Sequence, residues 1–202
     1  MIHADIIQGT QEWFDIKRGK VSASKISDVM MKPTTAGYRN YRAKLVVERL
    51  TGETEDSYQN ADMLRGTELE PNARLVYEYV TGQTVDQVGW IDHPTIEFSG
   101  SSPDGLVGED GHIEIKCPKA ATHLDTLLTG TIDDKYLLQM QFQMACSGRK
   151  WNDFVSYHPS FPEDKQLKII RVDRDNAMIA DIEKAVKIFL ADVEKIVSEL
   201  KG

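Results

Sequence analysis

Two short segments of this chain carry residue types suited to hydrolytic chemistry: Ser101-Ser102-Pro103-Asp104-Gly105 and, nine residues after Gly105, Glu114-Ile115-Lys116. Side chains of a strand alternate faces, so Glu114 and Lys116 project from one face while Ile113 and Ile115 pack into the core from the other. The Gly108-Glu109-Asp110-Gly111 turn folds the preceding strand back and sets Asp104 roughly opposite residues 115 to 117, at a cross-strand Cβ spacing of about 5 Å. Two carboxylates and a lysine then converge. Two acids and a nearby backbone carbonyl offer the oxygen-only ligation that Mg²⁺ prefers, since that ion keeps several waters and takes phosphate oxygens as partners. A lysine beside it orients an attacking water and neutralises developing charge. Plainer readings stand beside this one. Acid-x-lysine recurs at Asp15/Lys17, Asp133/Lys135, Glu163/Lys165 and Glu199/Lys201, and Pro-Asp-Gly is a common turn sequence. The combination says more than either part, because it joins the only Pro-Asp of the chain to the only acid-x-lysine in an apolar-alternating strand.

The elements that must hold these residues are read from periodicity. Tyr41, Leu45, Val46 and Arg49 predict a helix over 41–50 that stops at Gly52, and Pro71 opens a second over 71–80 that stops at Gly82. From Val85 to Cys117 the texture is of short strands, at 85–91, 96–99, 106–107 and 112–117, read as an antiparallel meander. Helices follow at 123–128 and 135–146, strands at 153–158 and 167–172, and a final helix over 176–200 with Met178, Ile182, Ala185, Phe189, Val193, Ile196 and Leu200 on one stripe. The fold class is α/β or α+β: a central mixed, mostly antiparallel sheet flanked by helices, in one domain over 1–202.

Composition excludes several classes. With 28% charged residues and only short apolar runs, nothing approaches a membrane span. The start lacks the pattern of a secretory signal, so a cytoplasmic location is expected. Cys117 and Cys146 form neither a disulfide scaffold nor a Cys-x-x-Cys metal spacing. A Walker-type or Rossmann glycine loop is missing. The formal charge of −8 argues against a simple nucleic-acid binder, yet Arg39, Arg42, Lys44 and Arg49 crowd 39–49 while 53–70 is strongly acidic. Net charge does not settle the partner.

In these segments the chain resembles the PD-(D/E)xK nuclease superfamily and, more closely, the phage lambda exonuclease and YqaJ-like viral recombinase family. The matches run in order: Trp13 with Gly19-Lys20-Val21-Ser22-Ala23-Ser24, Arg65-Gly66-Thr67-Glu68-Leu69-Glu70, Ser102-Pro103-Asp104-Gly105, Glu114-Ile115-Lys116-Cys117-Pro118, and Tyr136 with Gln139-Met140-Gln141. The resemblance implies a restriction-endonuclease-like core and a Mg²⁺-dependent exonuclease, with Mn²⁺ substituting and two ions per site. It would degrade one strand of linear duplex DNA from its 5′ end and leave a 3′ tail for a single-strand annealing recombinase. It also implies a phage or prophage origin in a bacterial host and a homotrimeric ring threaded by DNA, whose basic lining leaves the outer surface free to be acidic. An endonuclease of the same superfamily and a catalytically inert DNA-end binder are the competing readings.

Carried over residue by residue, the resemblance makes Asp104, Glu114 and the Ile115 carbonyl metal ligands, Lys116 the catalytic lysine and Glu70 a third acid beside a second ion. Gln139 corresponds to a glutamine near the scissile or terminal phosphate. Trp13, Lys17, Ser22, Ser24 and Ser102 correspond to a pocket for the 5′ phosphate. Four of them have an alternative in the residues themselves. Glu70 could form a capping box with Thr67, which Pro71 disfavours. Gln139 could belong to a solvated stripe with Tyr136 and Gln143. Ser22 could be a helix N-cap, and Trp13 could be core. Two departures stand out: Lys17 occupies the place of a family arginine and lacks its planar fork, and residues 33–42 are shorter than the family's strand-separating loop, leaving Tyr38 or Tyr41 to stack on a base.

Overall fold

The computed structural model describes residues 1–54 and 61–202, so part of the acidic stretch 53–70 lies outside the described residues. Seven α-helices are described: α1 Gln11–Lys17, α2 Ile26–Val29, α3 Ala36–Thr51, α4 Ala61–Thr81, α5 Ala120–Thr129, α6 Asp134–Ser147 and α7 Asn176–Lys201. Nine strands accompany them: β1 Ile2–His3, β2 Val21–Ser22, β3 Val85–Asp86, β4 Trp90–Asp92, β5 Ser99–Ser101, β6 Gly105–Val107, β7 Gly111–Lys116, β8 Trp151–Tyr157 and β9 Leu167–Asp173. The architecture is mixed α/β with flanking helices. The sheet is divided in two, with orders β1-β4-β5-β2 and β3-β6-β7-β8-β9.

That division replaces the expected meander over 85–117. The apolar run 85–91 contributes β3 to one sheet and β4 to the other. Between them Gly89 passes so close to Ile6 that a Cβ would lie 2.4 Å from the Ile6 carbonyl oxygen. Residues 96–98 do not form the expected strand: Phe98 adopts a left-handed φ of 57°, and pairing begins only at Ser99. β7 and β8 run parallel in register from Gly111↔Trp151 to Lys116↔Ser156, because the α5–α6 connection is long enough to cross over and restart in the same direction.

Helix ends largely follow the sequence signals. Thr35 caps α3 by accepting from the Tyr38 amide, one turn earlier than expected, and Gly52 ends it at φ +70°. α4 departs more. It runs Ala61–Thr81 and carries Pro71 in its interior rather than at its start. Proline removes one backbone hydrogen bond. The helix continues because Ala73 and Tyr77 beyond it are buried against Ile113, Ile115 and Val155 of the five-stranded sheet. Residues 67–70 therefore lie mid-helix, where a capping box cannot form.

α7 covers the other core with Ile182, Val186, Phe189 and Val193, each fully buried, while Leu200 at the end of the expected stripe is 65% exposed. Tyr38 and Tyr41 both pack on Phe189. Neither is available to stack on a base: Tyr38 donates to Asp192 at 2.8 Å, and Tyr41 accepts from the Ser22 amide. Among the described residues, no helix is long and apolar enough to cross a membrane.

Candidate active site

The β6–β7 hairpin does the first positioning. Gly111 pairs with Val107 instead of belonging to the turn, so Gly105 faces Ile113 and Asp104 arrives level with Glu114. This is one residue short of the expected window, yet Asp104 Oδ2 still accepts from the Ile115 amide at 2.6 Å. Arg149 keeps the turn closed, donating through Nη1 to the Gly108 and Gly111 carbonyls at 2.7 and 2.8 Å.

Glu114 does not lie on an open face. β7 runs between β6 and β8, α6 covers its polar side, and Glu114 is fully buried. An isolated buried carboxylate costs several kcal/mol, so the fold must supply donors. It supplies three. Lys116 Nζ reaches Oε1 at 2.5 Å, Gln139 Nε2 reaches Oε1 at 2.7 Å, and Gln143 Nε2 reaches Oε2 at 2.7 Å. Gln139 thus belongs neither to a solvated stripe nor to the cleft wall; it holds Glu114. Gln143 was not singled out by sequence reasoning as a site residue. Its signal was the four-residue spacing from Gln139, which puts both amides on one helix face.

Around this pair the charges are unequal. Asp104, half-buried, is held well above the usual carboxylate range by burial, then by Glu114 and Glu70, against a smaller opposing pull from Lys116. Glu70 on α4 is likewise raised, mainly by burial, although Arg74 Nη2 donates to its Oε1 at 2.5 Å. Burial alone would depress Lys116; Glu114 and Asp104 outweigh it and keep the amine above its ordinary range. Three acids therefore share one lysine and one arginine, a deficit of positive charge that a divalent cation would fill. Among the described residues no three His, Cys, Asp or Glu side chains close on one point. Mg²⁺ does not require them, since it binds through one or two carboxylates and completes its shell with water and phosphate. The oxygen-only donors Asp104, Glu114 and the Ile115 carbonyl fit that ion.

A cavity of about 620 Å³ lies over this group, lined by Arg65, Glu70, Asp104, Ile115, Lys116, Lys119 and Tyr136 among others. A second, of about 730 Å³, is lined by Trp13, Lys17, Ser22, Ser24, Lys44, Glu48 and Arg74 among others, and shares Thr67 and Glu70 with the first. Lys17 Nζ sits 3.4 Å above the Trp13 ring centre. Burial, and then the nearby Lys44, pull its pKa down to about 7, opposed by Glu48. The Ser22 and Ser24 hydroxyls bond each other at 3.1 Å. Ser22 occupies the N-cap position of the short 3₁₀ turn Ala23–Lys25 without making a side-chain cap. Ser102 does not line this cavity. Its hydroxyl donates to the Gly89 carbonyl at 2.6 Å and accepts from Trp13 Nε1 at 2.9 Å, so it pins the tryptophan wall instead. Lys44, Glu48 and Arg74 are additions that local sequence could not reveal, because they arrive from α3 and α4.

Residues 12–150 match the YqaJ-like viral recombinase domain. An alkaline exonuclease from Laribacter hongkongensis is 52% identical, with a TM-score of 0.90 over 95% of this chain and 96% of that one. The same enzyme in complex with dAMP matches at 53% identity, the same TM-score and the same coverage. A phage-related exonuclease from Haemophilus somnus, 18% identical, shares the fold with a TM-score of 0.70 over 93% of this chain and 99% of that one. No curated protein sequence matches. The matched span and the site's arrangement together make the chain a member of the YqaJ-like viral recombinase family.

Proposed function

We propose that this protein is a Mg²⁺-dependent 5′-to-3′ exonuclease that digests one strand of linear double-stranded DNA and leaves a 3′ single-stranded tail. The observation that carries this reading is the junction of the two cavities at Thr67 and Glu70. A recess of cations and hydroxyls adjoins the cleft that holds Glu70, Asp104 and Lys116, so a terminal phosphate held in the first would bring a phosphodiester to the second. The 52% identity to an alkaline exonuclease supports exonucleolytic chemistry, and the dAMP complex of that enzyme supports a deoxynucleotide as ligand here.

Asp104, Glu114 and the Ile115 carbonyl would hold one ion, and Glu70 would contribute to a second. Mg²⁺ held there, or Mn²⁺ in its place, would supply Lewis-acid polarisation of the phosphate and activation of water as nucleophile. The chain's own groups do the rest. Lys116, kept protonated by its two carboxylate neighbours, orients the attacking oxygen and offsets charge as it develops. Gln139 holds Glu114 Oε1, and Ser102 holds Trp13 upright beside Lys17. Lys17, Ser22 and Ser24 recognise the terminal phosphate, whose extra charge rewards short charge-assisted hydrogen bonds. The reading extends to a single nuclease domain acting in the cytoplasm of a bacterial host, encoded by phage or prophage. It also extends to a homotrimeric ring around the duplex and an annealing recombinase as recipient of the tail.

The test is digestion of linear 5′-phosphorylated duplex with Mg²⁺, against EDTA and closed circular DNA. Loss of one strand from the linear substrate only, and only with metal, is expected. Cutting of the closed circle would replace the exonuclease by an endonuclease, and activity undiminished by EDTA would remove the metal.

A further inference from the structure

We infer that Gln143, backed by Asn152, is a positioning residue that fixes the orientation of Glu114 as a metal ligand, an inference that rests on the site reading above. Glu114 is gripped at both oxygens by different amides. Gln139 Nε2 takes Oε1 and Gln143 Nε2 takes Oε2, each at 2.7 Å. Four residues apart on α6, these amides lie one helical turn from each other and bracket the carboxylate along the helix axis. A carboxylate pinned at a single oxygen swings about its last torsion; pinned at both, it presents a fixed plane toward Asp104.

The Gln143 amide is itself oriented. Its Oε1 accepts from Asn152 Nδ2 at 2.7 Å, which leaves only N–H to face Glu114. A reversed amide would set oxygen against oxygen at Glu114 and forfeit the bond from Asn152, whose own Oδ1 has no partner among the described residues. Asn152 comes from β8, where it pairs with His112 two residues before Glu114, so the chain Glu114–Gln143–Asn152 ties α6 to two adjacent strands. All three side chains are fully buried.

The choice of amides also matters. An arginine or lysine at 143 would satisfy Oε2 as well but would cancel the charge that draws a cation. A glutamine orients the carboxylate and leaves its charge for the ion. Lys116 shares the other oxygen, from the cleft side. Partners of this kind behind metal ligands typically change metal affinity by about 10- to 100-fold when removed.

The experiment compares Gln143→Met, which keeps length and volume but loses the amide, with Asn152→Leu and the double variant. Mn²⁺ binding to the DNA-free protein is measured by calorimetry, and the Mg²⁺ dependence of linear-duplex digestion is measured in parallel. Gln143→Met is expected to weaken Mn²⁺ binding and raise the half-saturating Mg²⁺ by at least about tenfold, while kcat at saturating metal falls far less. Asn152→Leu should shift both in the same direction by less, and should add nothing in the Gln143→Met background, because the two act in series. Parental Mn²⁺ affinity with a lowered melting temperature would overturn the inference, as would additive effects in the double variant. Collapse of the fold in both single variants would do the same, since the chain would then serve stability alone. Glu114→Gln separates the two levels. If it retains activity, the site reading fails; if it is inactive while Gln143→Met binds Mn²⁺ like the parent, only this inference fails.

Discussion

The two adjoining cavities are built on opposite plans. In the carboxylate cleft the central acid is fully buried and each of its oxygens has a donor, so geometry is fixed before any ligand arrives. In the N-terminal recess burial, and then the charge of Lys44, bring the Lys17 pKa down to about 7 against the pull of Glu48. The cleft holds its acids in a hydrogen-bonded frame, and the recess gathers cations around a buried lysine stacked on Trp13. On the function proposed above, each would be completed by a ligand of opposite charge. Rigidity belongs where a reaction must be aligned; adaptable cations suffice where an end must only be recognised.

Perturbing either region should therefore affect different observables. Asp104→Asn and Glu114→Gln carry the largest expected effect, a fall in digestion on the order of 10³-fold or more, as for loss of a group that stabilises transition-state charge. Glu114→Gln keeps the volume that Gln139 and Gln143 enclose but sets its amide nitrogen against one of their N–H donors, so circular dichroism should show the fold retained with a lowered melting temperature. Strong residual metal-dependent cleavage by the double variant would remove these residues from the site. Lys116→Ala comes next, with kcat reduced by about 10²- to 10⁴-fold, the range of a positioned proton-handling group. DNA affinity measured in Ca²⁺ should barely move. Unchanged turnover would make Lys116 only the counter-ion of Glu114.

The same contrast explains what could be read from sequence. The cleft was legible because its parts are contiguous: a turn, a hairpin of known direction and an alternating strand place Asp104, Glu114 and Lys116 together by local rules. Even there, alternation could not tell that the polar face of β7 is covered. Burial of Glu114 depends on α6, twenty and more residues later. The recess was half legible. Trp13, Lys17, Ser22 and Ser24 were visible in one short stretch, but Lys44 and Glu48 come from α3 and Arg74 from α4. Ser102, placed in the recess by resemblance, turns instead to Gly89 and Trp13. The division of the sheet turned on the close approach of Gly89 to Ile6, a tertiary contact without a local signature. The helix through Pro71 was hidden for the same reason: burial of Tyr77 and Ala73 overrides a local stop signal.

The smallest predicted effect is also the one that best separates the two plans. Lys17 titrates near pH 7, pulled down by burial and by Lys44 while Glu48 holds it up. A group with a lowered cationic pKa carries its charge below that value and loses it above. Attraction of a terminal phosphate should thus be strongest below pH 7 and weaken as pH rises through 7 to 8. Above pH 6.5 the phosphate itself is mostly the dianion, its second pKa being about 6, so the enzyme supplies the pH dependence. The quantity to measure is the ratio of kcat/KM for 5′-phosphate over 5′-hydroxyl ends, because kcat/KM reports the free enzyme. Metal-site titrations cancel in that ratio, since both ends are cut by the same cleft. The parent ratio should fall with pH, by at most about tenfold per unit, and level off where Lys44 and Arg74 alone attract the end. Lys17→Ala should start low and stay flat. Lys17→Arg should stay high and flat, because a guanidinium remains charged throughout and forks onto two phosphate oxygens. A parent ratio that does not change between pH 6.5 and 9, or an Lys17→Arg ratio that still falls, would take Lys17 out of end recognition and leave the carboxylate cleft untouched.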